Sequence, residues 1–499
     1  MEAVPPQTER NISYNVRHGV VSVLAANLVA PFLGIFALRL GASNFQIALL
    51  SSAPAIVSLL VMIPGAVYVD RFHRKKRVTT MFMLANRVFY LILAAVPFLD
   101  PDRRAAALVI AVALMNLPGA IGNVAWQSFI SRVIPPTRRA QAFARRNRAM
   151  NIVGTVAVVI AGRALDIMSF PVSYQVVFCL GFLIALGEMY IFQRIDEPDG
   201  GLELCPESAD GSRGAAAARP VVGPAAAAGT AAAAGTARGE GPAAPAGTAR
   251  GEGPAVSSGC AGQGARLGWG SSRNGRGELR RRLIQFRGSF REAVADIFAH
   301  PRFIRFTLAS MVFHFMWQTA WPLFTLYQVK VLGANNLWIS LLTLSNTGGA
   351  IIGYGFWASF ADRRGHLRSL VVSTLGIFMV PLYYAFSHSL TTITVLNFAT
   401  GAIFAGVNLS LFNVLLEHTP EEHKTTYIAY YHTAITLTTV FAPVCGVALL
   451  GLLGFFWAFI ACAVGRIVGS MAFYLVLRSE EREVGAQPPA AEASGDLPA

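Results

Sequence analysis

The stretch from Leu40 to Arg71 is written twice in this chain. Leu40-Gly41-Ala42, an apolar run of membrane-spanning length and Asp70-Arg71 recur 292 residues later, without a gap. They return as Leu332-Gly333-Ala334, a second apolar run and Asp362-Arg363. Within the runs Asn44 matches Asn336, Ile47 matches Ile339, and Leu49-Leu50 match Leu341-Leu342. Each copy reads as an uncharged turn, a long apolar helix and a charged loop opened by an Asp. A helix-and-loop unit repeated half a protein apart predicts two homologous membrane-embedded halves.

Composition agrees. Only 14% of the residues are charged, against about 25% in soluble domains, and the mean hydropathy is +0.50. Apolar runs of about 20 residues, the length a bilayer core demands, can be drawn near 16–40, 45–69, 78–99, 105–130, 148–168 and 172–194. A second set lies near 302–330, 336–361, 369–387, 390–416, 426–450 and 453–477. The predicted fold class is an all-α membrane protein, with twelve transmembrane helices as two six-helix bundles. The net charge of +14 does not indicate nucleic acid, because the basic residues crowd into loops beside spans. Arg71, Arg74, Lys75, Lys76 and Arg77 follow span 2; Arg132, Arg138, Arg139, Arg145, Arg146 and Arg148 surround the turn after span 4; Arg363, Arg364 and Arg368 follow span 8. Positive-inside asymmetry puts these loops, and both termini, in the cytoplasm of a cell-membrane protein. The polar start lacks the short apolar core of a removable signal peptide. The five cysteines show no paired spacing, so neither a disulfide nor a metal site is expected.

The expected domains are a six-helix bundle over 1–195, a linker over 196–277, an amphipathic helix over 278–300, a second bundle over 301–479 and a tail over 480–499. The linker is Ala-, Gly- and Pro-rich and repeats Gly235-Thr236-Ala237-Arg238-Gly239-Glu240-Gly241-Pro242 as Gly247 to Pro254. It holds too little apolar material to offset ordering entropy, and reads as a disordered cytoplasmic tether. After it, Leu283, Phe286, Phe290, Val294 and Ile297 fall at helical spacing among arginines, the pattern of a helix lying on the membrane surface.

The loop Ala66-Val67-Tyr68-Val69-Asp70-Arg71-Phe72-His73-Arg74-Lys75 resembles the signature of the major facilitator superfamily between helices 2 and 3, Gly-x-Leu-x-Asp-Arg-x-Gly-Arg-Arg/Lys. Asp70, Arg71, Arg74 and Lys75 match; Ala66, Val67 and His73 depart. The second copy keeps Asp362, Arg363 and Gly365. The resemblance covers both halves and implies alternating access, with these loops as a latch that must break for the inward-open state. An Asp at a helix end beside cations has the physics for it, since it can pair with them or face a helix N-terminus. The alternative is that Asp70 ends the helix and the cations only set topology.

The resemblance also places helices 1, 4, 7 and 10 around a central cavity. The substrate candidates are Asn27, Asn123, Trp126, Gln127, His314, Trp317, Gln318, Trp321 and Asn408. Polar groups at bilayer depth are costly unless partnered or facing water. Four of them, His314 to Trp321, fall at i, i+3, i+4, i+7 on one helical face. For any single one the competing role is an interhelical hydrogen bond. Arg87 and Arg466 lie deep in spans 3 and 12, peripheral in that fold, where contact with polar neighbours is the expected role. Coupling to protons would need Glu188, Asp166 or His314 to titrate.

No hydrolase, metalloprotease or phosphate-loop motif is present, so neither an enzyme nor a cofactor is expected. The functional expectation is a monomeric secondary active transporter for a small-molecule solute, with protons as the candidate coupling ion and lipid as its solvent. A non-transporting sensor or scaffold of the same shape is the alternative. Between drug or amphipath efflux and uptake of a sugar or organic metabolite the sequence does not choose. An aromatic-rich, carboxylate-poor cavity leans toward neutral or weakly anionic, partly apolar solutes.

Overall fold

The computed structural model describes residues 6–70, 75–196, 300–420 and 424–485. The expected linker beyond Asp196 and the amphipathic helix lie outside the described residues, as do Arg71 and Arg74 and the side chain of Asp70. The chain divides into two compact units, Met1–Gly241 with Arg305–Ala499, and Pro242–Ile304. Both helical halves belong to the first; residues 300–304 are the described part of the second.

Span 1 is composite, Pro6–Asn27, a 3-10 turn Ala30–Phe32 and Leu33–Arg39. Span 2 is Asn44–Asp70, span 3 Lys75–Ala95, span 4 Pro101–Val133, span 5 Pro136–Ile167 and span 6 Val172–Gln193. Span 7 is again composite: Pro301–Thr319, Trp321–Leu326 and a π-helical turn Tyr327–Val331. Span 8 is Asn336–Arg364, span 9 His366–Gly376 with Met379–Phe386, and span 10 Leu390–His418. Spans 11 and 12 form one run, Lys424–Gly485, broken by a left-handed Gly454.

Nine stretches among the described residues are long and apolar enough to cross a membrane, and one, Tyr427–Glu483, holds spans 11 and 12. Spans 7 and 8 complete the twelve; span 7 is interrupted, and span 8 is diluted by Ser345, Asn346, Thr347, Gly348 and Gly349. Outward faces carry exposed Leu60, Ile110, Leu183, Ile351, Phe356 and Leu452, a surface suited to lipid. The last helix reaches Gly485, beyond the expected end at 479. There exposed Glu481 and Glu483 meet Arg368 and Arg305 (2.8 and 2.7 Å).

The repeated sequence makes repeated geometry. Gly41 (φ 86°) and Gly333 (φ 66°) turn the chain in the left-handed region, where a Cβ would be strained. The next helix is then capped in each half. In the first copy Ser43 Oγ accepts from Gln46 N–H while Gln46 Oε1 accepts from Ser43 N–H, a capping box. In the second, the corresponding Asn335 accepts from Trp338 N–H at 3.0 Å. This glycine-turn end is one end of the bundle; the basic loops form the other.

Spans 1 and 7, equivalent members of the two halves, break at corresponding prolines. Pro31 sits in the 3-10 turn of span 1 and Pro322 in the first turn of Trp321–Leu326; neither can donate a backbone hydrogen bond. Elsewhere backbones meet through small residues: a Cβ on Gly349 would collide with Phe398 O of span 10, and one on Gly353 would lie 2.5 Å from Ala402 O. At the basic-loop end, buried Lys75 donates to Val69 O (2.7 Å), and Lys76 to Gln193 O and Ile195 O (2.7 and 2.8 Å). Cations thus close the C-termini of spans 2 and 6.

Toward the glycine-turn end one buried apolar core joins both halves, taking Leu33, Phe36, Tyr174 and Phe178 from the first and Leu323, Leu326, Ile339 and Phe459 from the second. At the basic-loop end a separate cluster of Ile12, Trp126, Phe129, Ile130 and Phe192 belongs to the first half alone.

Candidate functional site

The seam between the halves is tied at the glycine-turn end by polar groups. The first N–H groups of a helix have no partner within it. In span 8, those of Asn336 and Leu337 are taken by Asp166, the last acidic residue of span 5 in the opposite half, at 3.2 and 2.8 Å. Asn336 Nδ2 donates to the same carboxylate (2.8 Å), and Tyr174 OH donates to Asn336 Oδ1 (2.7 Å). Arg39 lies 3.8 Å from Asp166. Ser340 OH reaches across to Val158 O at 2.8 Å. Asn44, the counterpart of Asn336 in the repeat, accepts from Lys330 of the other half at 2.8 Å. A carboxylate at a helix N-terminus is favoured by both the dipole and the free N–H groups.

Beneath these ties lies a cavity of about 70 Å³, room for a few waters or one small group. Pro31, Gly34 and Ile35 of broken span 1 form one side. Span 7 contributes Trp317, Trp321, Phe324, Thr325 and Gln328 around its own break. Ile339 and Leu342 of span 8, Val380 and Tyr384 of span 9, Asn397, Thr400 and Phe404 of span 10, and Arg466 of span 12 complete the wall. The proline breaks are what bring these residues in, since Gly34 meets Thr325 where the two interrupted helices cross. The indoles of Trp317 and Trp321 stand edge to face, 5.3 Å apart. Arg466 is buried and donates to Ile377 O (3.0 Å), where span 9 breaks, and to Trp317 O (3.1 Å), just before the break in span 7.

A second buried polar group lies wholly inside the first half. Arg87 of span 3 donates through Nε and Nη2 to Glu188 of span 6 (3.1 and 3.3 Å), and through Nη2 to Ser22 of span 1 (3.0 Å). Tyr90 OH is also bonded to it. His18 Nε2 is 3.4 Å from Glu188. His18 and Glu188 are fully buried, so the guanidinium and carboxylate neutralise each other out of water and tie spans 1, 3 and 6.

Of the residues singled out from sequence, Trp317 and Trp321 line the cavity. His314 and Gln318 do not, although both share the unbroken helix Pro301–Thr319 with Trp317. His314 Nδ1 instead donates to Ser310 O (2.8 Å) beneath Trp317, and Gln318 is buried. Asn27 donates to Gly154 O of span 5 (2.9 Å). Trp126 is buried, with the Arg146 guanidinium 4.6 Å above its ring. Asn123, Gln127 and Asn408 are half-buried and are not among the lining residues. Asp362 and Arg363 are exposed, with no partner among the described residues. Sequence reasoning missed Gln328, Tyr384 and Thr400 in the wall. Arg466 was visible as a mid-span charge but not as cavity lining.

A sequence profile described as Major Facilitator Superfamily matches residues 19–237 and 306–498. No curated protein matches the chain in sequence. Among solved structures, a bacterial homologue of the human lysosomal transporter Spinster, inward-facing and occupied, aligns at TM-score 0.58 and 12% identity, over 98% of this chain and 100% of that one. The nucleoside transporter NupG aligns at 0.57 and 11%, over 93% and 99%. The human organic anion transporter MFSD10 aligns at 0.52 and 14%, over 94% and 100%. The duplicated helix-and-loop unit, the two six-helix bundles and the profile match agree: this membrane protein belongs to the major facilitator superfamily.

Proposed function

We propose that the chain is a secondary active transporter that carries a small solute along the seam between its halves by alternating access. The observation that carries this is the central cavity, walled by both halves and built at their paired helix breaks, with the Asp166 ties shutting one end. Positive-inside asymmetry makes that end the outer face of the cell membrane, with both termini cytoplasmic. Transport then requires the ties among Asp166, Asn336, Tyr174, Asn44 and Lys330 to release, and the loops holding Asp70 and Asp362 to engage at the opposite end. A proton-coupled cycle has Asp166 at the seam and the His18–Arg87–Glu188 group inside the first half as its titratable elements; His314 borders the cavity aromatics.

The test is solute counterflow in proteoliposomes of the full chain. Flux that wild type supports and Asp166→Ala loses supports the proposal. Binding of solutes without any passage, across a broad metabolite and drug panel, would leave a sensor or scaffold instead. Uptake unaffected by collapse of a proton gradient removes the coupling element alone.

A further inference from the structure

We propose that the cavity takes a small organic monoanion, a carboxylate on a compact apolar body, and that Arg466 is its counter-ion. This rests on the transport reading for its physiological meaning but on separate observations for its chemistry.

Two arginines lie deep in the spans, and they differ in one respect. Arg87 has Glu188 against it, bonded through two nitrogens. Arg466 is 1% exposed, yet no Asp or Glu pairs with it among the described residues. Two of its five N–H groups go to the backbone carbonyls of Ile377 and Trp317, and its Nε has no partner. The ionisable groups near enough to sense its charge are Cys462 and Tyr383, a thiol and a phenol that are neutral at pH 7. A buried cation with no counter-charge is costly in the bilayer interior, and such residues mark solute sites.

Several other polar side chains of the wall already hold partners. Asn397 donates to Leu342 O, Thr400 bonds Leu396 O and the Tyr383 hydroxyl, and Gln328 donates to Tyr384 OH. The charged group among the described lining residues is a planar guanidinium, which matches a carboxylate in shape, beside two tryptophans that offer donors only. One guanidinium balances one negative charge, which selects a monoanion over a phosphate dianion. The apolar surface of Trp317, Trp321, Phe324, Phe404 and Val380 suits a hydrophobic body. Among the described lining residues there is no carboxylate to repel the ligand or to hold a cationic drug.

The test is ligand-dependent thermal unfolding of the purified full-length protein. The probes are acetate, propionate and isobutyrate, each against its own carboxamide. The acids should bind about ten- to hundredfold more tightly than the amides, the value of a charged hydrogen-bonded pair. Arg466→Gln should abolish the difference, and Arg466→Lys should keep part of it. Amides stabilising as well as acids, no acid-selective shift across the panel, or undiminished selectivity in Arg466→Gln would each overturn the proposal. Should Arg466→Gln fail to fold, quenching of intrinsic tryptophan fluorescence in wild type, acid against amide, decides instead. Counterflow with the best acid separates the two readings. Binding without flux leaves the anion site and removes transport; flux of neutral solutes without acid binding does the reverse.

Discussion

Asp166→Asn is the perturbation that most directly probes the seam. The carboxylate is 9% exposed and accepts from two backbone N–H groups and one side-chain amide of the opposite half. Asn keeps one acceptor oxygen but sets its own NH₂ against a backbone N–H of span 8. A hydrogen bond to a charged group contributes about 1.5–3 kcal/mol and a neutral one about 1. The lost dipole interaction contributes about 0.3–1 kcal/mol more. Because Asp166 regains water when the seam opens, about 2 kcal/mol of preference for the closed end is the reasonable net loss, roughly a thirtyfold shift in the equilibrium. The assay is pulsed electron-electron distance measurement between spin labels at Phe98→Cys and Phe386→Cys, in a background with the native cysteines replaced. Both positions are exposed, near the glycine-turn end, one in each half. Asp166→Asn should populate a longer distance by an order of magnitude more than wild type. Tyr174→Phe, which loses one hydrogen bond to Asn336, should shift it about fivefold. Distance distributions identical to wild type in both variants would refute the role of these ties.

Other consequences are as concrete. Glu188→Gln strands the Arg87 guanidinium in a dry site and should cost about 3–5 kcal/mol, read as a large drop in unfolding temperature; Arg87→Met in addition should recover most of it, and an unshifted single variant would mean the pair is idle. Gly353→Val drives a side chain into Ala402 backbone and should prevent the span 8–span 10 contact from forming, losing folded protein on size-exclusion chromatography. Gly355→Ala, where a Cβ meets nothing within 4 Å, should leave yield and stability unchanged. Asp70→Asn should give near-normal expression and strongly reduced flux; full flux would remove the latch role inferred from its motif.

What was legible in the sequence followed from covalent repetition and from the cost of polar groups in lipid. The duplication of Leu40–Arg71 foretold two halves, and the pairing went deeper than helices: Gly41 and Gly333 share a positive φ, Ser43 and Asn335 share a cap, and Asn44 and Asn336 both end up at the seam. The cavity was less legible, because a shared helical face does not fix which of its residues reach the space between helices. His314, Trp317 and Gln318 share one unbroken helix, yet only Trp317 lines the cavity, joined there by Trp321 from beyond the interruption at Ala320. Pro31 and Pro322 were the available signal, two prolines at equivalent depth in equivalent spans, each able to end one helix and re-aim the next. The same breaks account for Arg466. Interruption at Ile377 and near Trp317 leaves helix-end carbonyls facing inward, and only a long cationic side chain from span 12 reaches both. That geometry ties three helices of the second half together through a charge that a bound anion would balance, so occupancy of the cavity and packing around the broken spans are coupled through one guanidinium.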